Sequence, residues 1–146
     1  MLTLFSLVYC IISFKFDFIN EHILNIFNNE YLLKKYGQFD INIRKLYSYD
    51  DECELYLPLS LKKSNLLIDR DNNYITENNN DFINETGLVR YLQQNDILLK
   101  PPLLMNCYYD YIYGSNEKTP LRYSINCRNY IYVTNGEISV KLVCPN

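Results

Sequence analysis

The chain has no tryptophan, no alanine and one histidine, His22. With a single imidazole, no Cys/His or Ser/His catalytic pair can be built except around that residue. Zinc-type spacing is missing as well. The five cysteines, Cys10, Cys53, Cys107, Cys127 and Cys144, are widely separated and odd in number, and none forms a CxxC or Cys/His pair. That pattern reads as free thiols in a reducing compartment, not as a disulfide framework or a zinc cluster. A basic surplus is also lacking. The formal net charge is −3, which leaves no electrostatic footprint for nucleic acid and no charge-based case for an anionic membrane surface. No internal repeat at a useful period is present.

What is present is apolar and aromatic. A chain of 146 residues with 48% hydrophobic residues is long and apolar enough for one domain with a buried core. Tyrosine reaches 15 residues, with abundant Asn, Ile, Leu and Phe. These residue types share A/T-rich codons, so an AT-rich genome accounts for much of the skew. The cluster Tyr108, Tyr109, Tyr111 and Tyr113 therefore reads as β-core surface, not as a base-stacking platform.

The first fourteen residues carry no charge, and Lys15 and Asp17 interrupt the run before Phe18 and Ile19. Three readings of residues 1–19 stay open: a short membrane anchor, a buried strand or helix, and an export signal. An anchor would be followed by Lys15, Lys34 and Lys35, which places the domain on the cytosolic side. The expected location is membrane-associated or cytoplasmic.

Ile19, Ile23, Ile26, Phe27 and Tyr31 fall at helical spacing, which predicts a helix over 18–36 with Gly37 as its stop. His22 lies within it as an ordinary polar position. Phe39, Ile41 and Ile43 alternate with Asp40, Asn42 and Arg44, a half-buried strand pattern. Asp50, Asp51, Glu52 and Glu54 fit no calcium loop and read as a solvated acidic turn. Leu55, Leu57, Leu59 and Leu61 alternate again, with Pro58 marking an edge strand or a helix start. Residues 69–80 read as an Asn-rich loop. Its DRDNN start lacks the Gly and closing Glu of an EF-hand. Asn80 is a suitable cap for a helix over 81–86 stopped by Gly87, and a second short helix covers 88–94. The sequon Asn84-Glu85-Thr86 falls inside the first of these. Lys100-Pro101-Pro102 breaks any helix, and 103–113 is strand-like up to a turn at 114–116.

Residues 119–145 read as three short strands. The last two are joined by Asn135-Gly136, the dipeptide suited to a two-residue hairpin turn. Here the sequence carries Tyr111-Ile112-Tyr113-Gly114, then Thr119-Pro120-Leu121-Arg122-Tyr123-Ser124, Asn129-Tyr130-Ile131, Asn135-Gly136 and Val140 to Pro145. In order and spacing this stretch resembles the JmjC and cupin-like family of 2-oxoglutarate and iron-dependent oxygenases. The resemblance implies an α+β fold, with N-terminal helices leading into a partial double-stranded β-helix (a jelly-roll). It implies a domain over 20–146 that is truncated at its C-terminus, so that a protein partner would complete the roll.

The family would use Fe(II), held by two His and one carboxylate, and 2-oxoglutarate. At the positions of the first His and the Asp this chain has Arg122 and Ser124. A guanidinium has no lone pair for iron, a neutral hydroxyl is a poor substitute for a carboxylate, and no histidine follows His22. Ile138 stands where the family commonly has a lysine for the 2-oxoglutarate carboxylate. Thr119 alone remains of the pocket's polar groups. The expectation is a non-catalytic domain without cofactors, in an interaction or scaffolding role. The rivals are an active hydroxylase or demethylase completed by another chain, and a small-anion-binding module using Arg122, against the simpler prospect that Arg122 pairs with Asp110, Glu117 or Glu137.

Overall fold

A computed structural model describes residues 19–46, 55–104, 106–115, 118–119 and 128–142. The helical pattern after residue 18 becomes two helices. In α1 (Glu21–Ile26) the side chain of Asn20 accepts from the His22 and Ile23 N–H groups, satisfying donors that a helix start leaves unpaired. In α2 (Asn29–Tyr36) Asn28 does the same for Glu30. That second cap explains the break: an Asn side chain competes for the backbone and restarts the helix. Glu30 in the first turn and Lys34 and Lys35 in the last turn of α2 complement its dipole. Gly37 ends α2, but not through a left-handed conformation, since its φ is −58°. A side chain there would run into the Leu33 carbonyl, and the Gly37 carbonyl accepts from the Lys62 N–H at 3.0 Å.

Four strands form one antiparallel sheet: β1 (Asp40–Lys45), β2 (Tyr56–Ser60), β3 (Tyr74–Thr76) and β4 (Tyr113–Gly114), in the order β2-β1-β3-β4. Pro58 sits on β2, an edge strand, where its missing N–H costs no ladder bond on the open side. Ile41 and Ile43 are buried on one face of β1, as alternation requires. Among the described residues four further helices follow: α3 (Leu61–Arg70), α4 (Asn80–Glu85), α5 (Val89–Gln93) and α6 (Asp96–Leu99). In α3 the buried positions Leu61, Ser64, Asn65 and Ile68 recur every three or four residues, the signature of a one-faced helix. The core joins Ile23, Leu32, Ile41, Leu61, Phe82 and Leu88 with their neighbours.

The fold is therefore mixed α+β, as expected, and among the described residues its β part is a small open sheet. Besides the split of the first helix, other sequence expectations differ in detail: Asn80, expected as a cap, is the first residue of α4, and Asn79 precedes it. The Asn-rich stretch 69–80 contains β3, which the polar composition hid. The strand expected over 103–113 reduces to β4, and Leu103 takes a φ of +67° before it. Residues 128–142 form no strand. Gly136 adopts φ +76° but Asn135 stays outside the left-handed region, so the type I′ turn that needs both does not form.

The apolar run 1–18 and the acidic turn at 50–54 lie outside the described residues. Among those described, no helix is long and apolar enough to cross a membrane.

Candidate functional site

Only some of the residues singled out by sequence are among the described residues. Thr119 is exposed and belongs to no element. Ile138 is 55% exposed in the segment after the Gly136 bend, which belongs to no helix or strand. Arg122 and Ser124 lie outside the described residues. Asp110, a candidate partner for Arg122, is committed to the backbone. Its Oδ1 accepts from the Asn79 N–H at 2.7 Å and the Tyr111 N–H at 2.8 Å, and its Oδ2 from the Asn78 N–H at 3.0 Å. His22 is exposed, with its ring edge-on to Tyr91 at 5.3 Å.

Two polar clusters that the sequence reading passed over are what the fold does assemble. The first is on the face of the sheet opposite Ile41 and Ile43. Tyr56, Arg44 and Ile75 lie directly across from one another on β2, β1 and β3, and Glu77 follows two residues on. Arg44 is 1% exposed, and its Nε donates to Oε1 of Glu77, which also accepts from the Tyr56 hydroxyl at 2.9 Å. Nη1 of Arg44 reaches the Lys45 carbonyl at 3.5 Å, while Nη2 is buried without a partner. A charge so placed needs its counter-ion. The guanidinium is thus neutralised internally and hidden from water.

The second cluster centres on Asn79, 1% exposed, where the chain leaves β3. Asn78 bends the chain with φ +60°, a conformation that Asn tolerates better than most residues. The Asn79 side chain then accepts from the Asn42 N–H at 2.7 Å and donates to the Tyr111 carbonyl at 3.1 Å. Thr76 completes the seam: its hydroxyl accepts from the Tyr113 N–H at 2.8 Å and donates to the Tyr111 carbonyl at 3.3 Å. Side chains thus supply the links between β1, β3 and the 110–113 segment that a longer ladder would have made. Partial burial of its carboxyl pushes the Asp110 pKa up, against the three N–H bonds that pull it down. Burial likewise raises the phenol of Tyr111, and burial together with the Asp96 carboxylate raises that of Tyr109. Both phenols are donors at physiological pH, not bases.

The groove between α2 and α3 has a volume of about 320 Å³, lined by Leu33, Lys34, Lys62, Asn65, Leu66 and Asp69. It holds no nucleophile paired with a base. Among the described residues, no group of three His, Cys, Asp or Glu side chains is placed to hold a metal. At the two positions where the resemblance alone would put iron ligands, the sequence has Arg122 and Ser124, which offer neither imidazole nor carboxylate. Arg44 could not have been found from the sequence pattern, because it occupies a polar position of an alternating strand. Glu77 and Asn79 were hidden in a run of Asn.

No family model matches the chain, and no curated protein or solved structure matches it. The class that the fold defines is a mixed α+β protein, with an open four-stranded antiparallel sheet among the described residues.

Proposed function

We propose that the chain is a non-catalytic interaction or scaffolding domain. The observation that carries this reading is the row of exposed apolar side chains along 128–142. Ile131 is 60% exposed, Val133 41%, Ile138 55%, Val140 55% and Leu142 48%. Single exposed apolar residues are ordinary, but so many within one fifteen-residue segment support a surface that another surface covers. Degeneracy of the cupin-like pattern at Arg122, Ser124 and Ile138 supports the same reading from the chemical side. A double-stranded β-helix remains the scaffold we propose for residues 20–146, on the strength of the motif order from Tyr111 to Pro145, with a protein partner completing it.

A fluorescent dye that brightens on apolar surface tests the reading. The dilute folded chain should brighten it, and a variant with Ile138, Val140 and Leu142 all changed to Ser should not. A wild-type chain that leaves the dye dark would overturn the proposal.

A further inference from the structure

The segment after the Gly136 bend has a chemistry of its own. The part before the bend is tethered: the Tyr130 hydroxyl donates to the Leu99 carbonyl at 2.8 Å, and the Tyr132 hydroxyl accepts from the Asn20 N–H at 3.1 Å. Residues 137–142, EISVKL, are all exposed and make no hydrogen bond to the other described residues. Their pattern is strictly two-fold. Ile138, Val140 and Leu142 alternate with Glu137, Ser139 and Lys141, so an extended backbone puts the apolar side chains on one face and the polar ones on the other.

This segment is complementary to itself. We infer that residues 137–142 pair antiparallel with the same residues of a second copy of the chain, centred on Ser139, to form a two-fold homodimer. In that register Glu137 of one copy faces Lys141 of the other, and the symmetry makes the pair twice. Ile138 faces Val140 in the same way, so the apolar residues of both copies share one face. Competing registers lose this match. Parallel in-register pairing sets Glu137 against Glu137 and Lys141 against Lys141, which is repulsive. A slip of one residue puts Glu137 opposite Leu142 and turns the apolar set to the wrong face. A slip of two leaves Glu137 and Lys141 without each other. Backbone bonding that forms when the segment extends against its copy supplies the affinity, and the charge pairs set the register.

The inference rests on the interaction role proposed above and names the partner. Sedimentation equilibrium of the full chain tests it with charge reversals on exposed residues, which leave the fold intact. The wild-type chain should show a concentration-dependent dimer. Glu137→Lys and Lys141→Glu should each weaken it by roughly tenfold, because each sets like charges opposite one another twice. Mixing the two variants, or combining both changes in one chain, should restore the wild-type affinity. A monomer at every concentration, or a dimer indifferent to the reversals, overturns the inference. The dye experiment separates the two proposals: a monomeric chain that still brightens the dye keeps its interaction surface and loses only this partner.

Discussion

Arg44 on β1 and Glu77 just past β3 form an ion pair almost wholly shielded from water, with the Tyr56 hydroxyl on the same Glu77 oxygen. Neither side chain has water to fall back on. Changing Arg44 to Met or Glu77 to Leu alone should therefore cost about 3–5 kcal/mol, because each leaves a buried charge behind. The double variant should recover most of that loss. Urea unfolding of the four chains measures it, and additive losses in the double variant would show that the pair is not coupled.

Asn79 joins β1 to the 110–111 segment through its amide. In Asn79→Ala the Asn42 N–H and the Tyr111 carbonyl each lose a partner, and the loss should be about 2–3 kcal/mol. The same unfolding experiment reads it. A change below about 0.5 kcal/mol, the range of ordinary surface substitutions, would mean that these bonds do not hold the seam.

Asn78, at φ +60°, predicts a reversal of the usual size rule. Asn78→Gly should be close to neutral, whereas Asn78→Val should cost about 1–2 kcal/mol because a β-branched residue resists this conformation. Thermal melting of both variants decides the point. Equal melting temperatures would contradict it.

Asp71 holds the turn between α3 and β3, accepting from the Asn73 backbone N–H at 3.0 Å and from its side-chain amide at 2.7 Å. These bonds lower its pKa from 3.8, the backbone one first. The folded-state value lies below the unfolded one. The stabilisation is therefore present above pH 3.8 and fades as pH falls through the folded value. The stability gap between wild type and Asp71→Asn should be constant near neutral pH and narrow in acid below 3.8. A gap that widens in acid would reverse the sign of this argument.

The sequence disclosed the elements whose periodicity is strong. Ile41 and Ile43 announced β1, the spacing of Ile19, Ile23, Ile26 and Phe27 announced the first helical stretch, and an edge was one of the two readings of Pro58, whereas Asn80, expected as a cap, lies inside α4. It disclosed less where side chains replace regular backbone pairing. β3 is only Tyr74–Thr76, too short for a period to register within an Asn-rich stretch, and it persists because Asn79 and Thr76 supply bonds from outside the ladder. Asn135-Gly136 suggested a hairpin, but local turn chemistry is a weak constraint when Tyr130 and Tyr132 are already tied to α6 and α1. The buried cluster was illegible for a different reason: burial of Arg44 depends on which strands flank it, and spacing carries no such information.

The proposal that this chain is non-catalytic and does no iron chemistry has the most direct test. Anaerobic calorimetric titration of the full chain with Fe(II), in the presence and absence of 2-oxoglutarate, should give no saturable heat if the proposed reading holds, because the sequence has Arg122 and Ser124 where the resembling family has its ligands. Tight, stoichiometric binding of Fe(II) that strengthens with 2-oxoglutarate would contradict the account.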